Sequence, residues 1–106
     1  MKHSEYSIVL STLKSEEDAE ILAQKLLQKK LAFCVQIQKI KSFYPWKNEI
    51  EHADEHLLLI KTRTDLFQEL SEYIRLNHSY KIPEIVQIPI IDGSKEYLDW
   101  GSSVVA

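Results

Sequence analysis

His52-Ala53-Asp54-Glu55-His56 matches H-x-x-E-H, a pattern in which two imidazoles at i and i+4 hold zinc on one helical face and the glutamate serves as general base in hydrolysis. That chemistry depends on the backbone beneath it. In a strand the same four-residue step spans roughly 13 Å, too far for both rings to hold one ion at about 2 Å. Glu49, Glu51, Ala53 and Leu57 favour helix, and Ile50, Ala53, Leu57 and Leu58 fit one helical face; the run Leu57-Leu58-Leu59-Ile60 fits a buried strand at least as well. Two readings therefore stand: a zinc hydrolase on His52, Glu55 and His56, or two ordinary, partly exposed strand histidines.

Other reactive residue types carry less. Cys34 is the only cysteine, so a disulfide within the chain, a C-x-x-C pair and a thiolate-rich zinc site are excluded. No lysine, histidine or helix start adjoins it in sequence to activate a thiolate, and a small buried hydrophobe is its expected role. Ser11, His78 and Asp92 can be assembled into a Ser-His-Asp set, but almost any chain permits such a trio. No catalytic residue is assigned. With only Gly93 and Gly101 available, no glycine-rich phosphate loop of the dinucleotide or P-loop kind can form.

The elements that must position these groups are short and closely spaced. Tyr6 to Leu13 is β-rich, and Ser15-Glu16-Glu17-Asp18 resembles a capping box opening a helix with Ala19, Leu22, Ala23, Leu26 and Leu27 on one face, ending near Lys30. Acidic residues at its start and Lys25, Lys29 and Lys30 at its end match the helix dipole, which is reason enough for that charge pattern. Ala32 to Tyr44 alternates as a strand until Ile40 breaks parity, which predicts a bulge near Gln38-Lys39. Tyr44 to Asn48 supplies a turn, and Ile50 to Thr62 returns as a second long strand. Asp65 with Gln68 is expected to cap a second helix with Leu66, Phe67, Leu70, Tyr73 and Ile74 inward. Asn77 to Pro83 is a loop, Glu84 to Ile91 a strand, and Ser94 to about Val104 a terminal helix carrying Tyr97 and Trp100. The order is βαββαβ plus a C-terminal helix: an α+β, ferredoxin-like fold with an antiparallel sheet.

The 106 residues are 44% hydrophobic and 27% charged, enough for one domain over residues 1–106 that buries about two-thirds of its unfolded surface. No segment approaches the length of a membrane span, and the stretch Met1 to Leu13 has no cleavage pattern, so a cytoplasmic location without membrane partner is expected. A net charge of −3 and a pI near 5.8 argue against a broad nucleic-acid footprint. Leu57 and Leu59 alternate with Leu58 and Ile60, so both faces of that strand are apolar. Two main helices can cover only one face, and the other is expected to be buried by further copies of the chain.

Five segments carry a resemblance over essentially the whole chain. They are Cys34-Val35-Gln36-Ile37, Ser42-Phe43-Tyr44-Pro45-Trp46-Lys47-Asn48-Glu49-Ile50, Leu58-Leu59-Ile60-Lys61-Thr62, His78-Ser79-Tyr80-Lys81-Ile82-Pro83-Glu84-Ile85 and Tyr97-Leu98-Asp99-Trp100. In this order and spacing they resemble the CutA family of divalent-cation tolerance proteins. The resemblance implies a ferredoxin-like fold, a tight homotrimer with long strands shared between subunits, and participation in metal tolerance through divalent metal, copper in particular. It also implies an architecture similar to the trimeric nitrogen-regulatory signal proteins, hence the alternative of a small-ligand-binding signalling protein or a scaffold for a further protein partner.

The family's copper ligands are a cysteine near the end of the first strand and two adjacent histidines. Here those positions carry Ser11, Asn77 and His78. Loss of a thiolate and an imidazole removes the soft ligands that favour Cu(I). What remains is a weak site for copper or another divalent cation at His78, with no metal required for folding. The usual His-Pro-Tyr reads His78-Ser79-Tyr80, which releases a proline constraint on that loop. The usual glycine after the tryptophan is Asn48, which tolerates a left-handed backbone. Trp46, Lys61, His78, Tyr80, Glu84 and Trp100 match the motif and are implied to gather near clefts between subunits. Trp46 and Trp100 suit packing at that contact. Lys61 and Glu84 either pair with each other or line a pocket in which Lys61 attracts an anion.

Overall fold

The computed structural model describes residues 4–106, so the first three residues of the N-terminal stretch read above lie outside the described region. The chain runs β1 (Tyr6–Leu13), α1 (Glu16–Gln28), β2 (Cys34–Trp46), β3 (Glu49–Arg63), a 3-10 turn (Thr64–Leu66), α2 (Phe67–Leu76), β4 (Val86–Ile90) and α3 (Lys95–Ser103). The strands form one sheet in the order β2-β3-β1-β4 with every neighbouring pair antiparallel, the expected split arrangement.

Ser15 caps α1 by accepting the backbone N–H of Asp18, as its sequence announced. The core lies between the sheet and the first two helices. Val9, Leu58 and Ile60 point at Ala19, Leu22 and Leu26 of α1 and at Leu70 and Ile74 of α2, all buried. Thr62 joins this layer without penalty because its hydroxyl donates to the Leu31 carbonyl at 2.7 Å. The opposite sheet face is different. Ile8, Leu10, Leu57 and Leu59 are only half-buried there, and Val86 and Ile88 are exposed. Its far end is covered, where α3 packs Tyr97, Trp100 and Gly101 against Phe33.

Four expectations need correction. The β2–β3 register runs without interruption from Cys34 opposite Lys61 to Trp46 opposite Glu49, so no bulge exists at Gln38-Lys39. β1 ends opposite His56, and beyond that point the hairpin stands alone as an arm. No helix of this chain demands constant parity there, so Ile40 is free to lie on the face opposite Ile37. The turn is also tighter than Tyr44 to Asn48. β2 continues through Pro45, acceptable on an edge strand, and Lys47 and Asn48, with φ of 49° and 67°, make a two-residue hairpin turn of the I′ kind.

Asp65 does not cap α2; its carboxylate accepts from the Arg63 guanidinium at 3.0 Å, and the 3-10 turn leads into the helix with no side-chain cap. The fourth strand spans Val86–Ile90 rather than Glu84 to Ile91, because its pairing with β1 runs only from Leu10–Val86 to Tyr6–Ile90.

Candidate functional site

The zinc motif is overturned by its backbone. His52, Glu55 and His56 all lie in β3, where alternation puts both histidines on the helix side and Glu55 on the other. Four residue steps along the strand set the two histidines about 13 Å apart. His52 instead lies against Phe43, with ring centroids 5.6 Å apart. Among the described residues no group of three or more His, Cys, Asp or Glu side chains is placed to hold one ion.

Glu55 has another partner. Alternation places it on the open face in line with Leu57 and Leu59, and the loop after α2 folds across to meet it. Tyr80 Oη donates to Glu55 Oε2 at 2.9 Å. Burial, and then the hydrogen bond to this carboxylate, push the Tyr80 phenol up to about 12. The same loop is pinned by His78. Its Nε2 lies 2.7 Å from the Thr12 carbonyl, which can only accept, and its Nδ1 accepts the Tyr80 backbone N–H at 2.9 Å. The ring is therefore the Nε2–H tautomer with both nitrogens engaged.

The positions expected to hold copper do not make a ready site for it. Ser11 Oγ is wholly buried with no hydrogen-bond partner, and the Asn77 amide donates to the Tyr73 carbonyl at 2.9 Å. A cation could take a His78 nitrogen only by opening one of the two bonds that hold the loop. The donor set is then one imidazole with oxygen neighbours, poor in the soft ligands copper prefers.

A second group lies at the far end of the open face. Lys61 Nζ is 3.4 Å from Tyr97 Oη and 5.3 Å above the Tyr97 ring. Phe33 stacks edge-on to Tyr6, Tyr97 and Trp100. Lys61 is not paired with Glu84: the ion pairs among the described residues are Arg63–Asp65, Arg75–Glu72 and Lys95–Asp99. Glu84 is exposed in the loop before β4.

Trp46 stands elsewhere again, at the tip of the arm, exposed, with the Lys47 ammonium 6.0 Å from its ring. Its partner Glu49 lies twelve residue steps along β3 from Lys61, a span of about 40 Å. Within one chain the expected residues thus form three places: the arm tip, the Glu55-Tyr80-His78 loop latch, and the Lys61 aromatic cluster. The latch pairing was missed from sequence, although the parity of Glu55 with Leu57 and Leu59 signals a carboxylate on an apolar face that needs a donor.

The comparisons with known proteins agree with this fold throughout. Residues 7–104 match the family model described as CutA1 divalent ion tolerance protein. The divalent-cation tolerance protein CutA of Archaeoglobus fulgidus is 45% identical over 95 residues, covering 90% of this chain and 93% of the relative. The Thermus thermophilus protein of the same name is 45% identical over 94 residues, 88% of this chain and 91% of its own. A solved structure of the Archaeoglobus protein, described as a periplasmic divalent cation tolerance protein, superimposes with a TM-score of 0.93 at 44% identity, over 95% of this chain and 99% of that one. These relatives are named for cation tolerance and not for a catalysed reaction. The chain belongs to the CutA1 divalent ion tolerance family.

Proposed function

We propose that this chain acts in divalent-cation tolerance as a homotrimeric binding protein of the cytoplasm and not as an enzyme, with copper or another divalent cation held weakly at His78. The observation that carries the assembly is the open sheet face. Ile8, Leu10, Leu57, Leu59, Val86 and Ile88 lie on it half-buried or exposed, and at about 25 cal/mol per Å2 such a stripe strongly favours burial against something apolar. A second copy offers the same surface. The family match supports the tolerance role, and the stranded H-x-x-E-H motif removes the arrangement on which hydrolysis would depend.

Light scattering should give about 37 kDa, three times the 12.4 kDa chain; a monomer at micromolar concentration overturns the trimer. Calorimetric titration of chelator-stripped protein with Cu(II) should show weak binding that disappears in His78→Ala. Tight binding that survives that substitution overturns the assignment to His78. Fractionation of expressing cells tests the location. The alternative, an anion-binding signalling trimer, is favoured by one feature, the Lys61 ammonium beside the Tyr97 ring with no carboxylate partner among the described residues. Unchanged anion binding in Lys61→Ala would end it.

A further inference from the structure

An open hollow of about 210 Å3 lies on the helix side of the molecule, between α1 and α2. Asp18, Ile21, Leu22 and Lys25 border it from α1, a spacing of three, four and seven residues that sets them on one helical face. The charged pair stands at the two ends of that row and the apolar pair between them. Asp18 and Lys25 are both exposed, and neither belongs to an ion pair among the described residues. Leu13, at the end of β1, and Tyr73 of α2 extend the apolar lining. The Lys29 ammonium, 5.3 Å from the centre of the Tyr73 ring, adds a second positive charge beyond Lys25. The rest of the wall is uncharged and polar. It comes from Asn77 and Ser79, the residues on either side of His78. The Asn77 amide already donates to the Tyr73 carbonyl, which leaves its side-chain oxygen as an acceptor, and the Ser79 hydroxyl can donate or accept. Both residues depart from the His and Pro usual at those positions, so neither side chain serves the family's copper site.

We propose that this groove is a binding site for a free dipeptide with an apolar side chain. The ligand's ammonium meets Asp18, its carboxylate meets Lys25, its side chain covers Ile21, Leu22 and Leu13, and its peptide group faces Asn77 and Ser79. Dimensions and chemistry select this class. Seven residues of helix put about 10 Å between the Asp18 and Lys25 backbones. An extended dipeptide measures about 7 Å from end to end, and the long Lys25 side chain spans the difference. A single amino acid carries both charges on one carbon and cannot reach Asp18 and Lys25 together. A metal ion would find one carboxylate and no second anionic ligand. A simple anion would leave Asp18 and the apolar row unused. The few polar groups around an apolar lining are what orient a small ligand. Because the groove is formed on the helix side, opposite the sheet face on which copies of the chain are proposed to meet, it stands apart from the trimeric reading and from the cation assigned to His78. Exposed ion pairs add little each, so the site is a weak one, with a dissociation constant on the order of 1 mM.

Titration of isotope-labelled, chelator-stripped protein with alanyl-leucine, followed by the backbone amide resonances, tests this. Saturable shifts are expected at Ile21, Leu22, Asn77 and Ser79. Glycyl-glycine, with both charges and no apolar side chain, should bind roughly tenfold more weakly. Asp18→Asn should weaken alanyl-leucine roughly threefold and leave its N-acetylated form unaffected, and Lys25→Gln should do the same for the free and the C-terminally amidated forms. Both side chains are exposed, so each variant should keep the wild-type circular dichroism spectrum. No saturable shift at tens of millimolar dipeptide overturns the site. Shifts centred on the Lys61 and Tyr97 cluster instead of the groove overturn its location. Leucine or glycyl-glycine binding as tightly as alanyl-leucine, or substitutions that weaken blocked and free dipeptide alike, overturn the two-ended recognition.

Discussion

The sheet has two halves built from the same strands. Near β1 and the helices, Leu58 and Ile60 of β3 are wholly buried in the apolar core, where Ser11 is the cross-strand neighbour of Leu58 and Val9 that of Ile60. A few residues along the strand, past His56, Ile50 is 78% exposed and Phe43 67%. Beyond Glu55, which Tyr80 covers, most side chains on both sides of that arm are exposed. The helix-covered half holds this chain together, whereas the arm leaves its aromatics and most of its charges exposed. One continuous ladder connects the two, so the arm is stiff enough to present its side chains in fixed alternation.

Leu58 and Ile50 test the contrast between the two halves most directly. Leu58→Ala should cost about 2–5 kcal/mol in urea unfolding, because it empties a site on which β1 and both helices converge. Ile50→Ala should change the stability of the isolated fold by no more than about 0.5 kcal/mol. Equal losses at the two positions would break the contrast. Gly101→Ala comes next: an added Cβ would stand 2.6 Å from the Phe33 ring. Either Phe33 or α3 must then move, at about 1–3 kcal/mol of overpacking, more than the roughly 1 kcal/mol that alanine gains over glycine in a helix. Tryptophan fluorescence should shift as Trp100 follows.

A smaller loss than at Leu58 belongs to the latch between the halves. Tyr80→Phe removes the donor to Glu55, at about 1–2 kcal/mol. Because the folded phenol is raised from 10 to about 12, its contribution is fully present below pH 10 and is lost as pH rises through 12. The urea midpoint of wild type should therefore fall over that window more than that of Tyr80→Phe. Parallel pH curves for the two proteins would show that the hydrogen bond contributes nothing.

Much of the fold was legible in the residues. The 3-1-3-1 spacing of Ala19, Leu22, Ala23 and Leu26 marked the buried face of α1, and Ser15 marked its start. The double apolarity of Leu57 to Ile60 announced a face in need of cover. Asp65 was misread because a side chain that can cap a helix can equally bind a neighbouring guanidinium, and Arg63 lies two residues away. The bulge at Gln38-Lys39 was misread because parity was assumed to reflect burial along the whole strand, and beyond β1 it does not.

The candidate site was less legible. His78, Tyr80, Lys61, Glu84 and both tryptophans could be singled out, but not where they meet. The strand that carries Glu49 at the arm tip and Lys61 at the far end holds those positions about 40 Å apart, while a loop close to the end of β1 brings His78 and Tyr80 onto Thr12 and Glu55.

Sequence alone determined the element order, the antiparallel sheet, the apolar second face and, through the absence of other cysteines and of glycine-rich loops, whole classes of chemistry that the chain lacks. These follow from local propensity and periodicity, which neighbouring residues set among themselves. Tertiary structure alone decided that H-x-x-E-H lies along a strand, that both His78 nitrogens are taken, and that Glu55 belongs to Tyr80. Each of those depends on which backbone a distant segment packs against, and no spacing within a single segment contains that information.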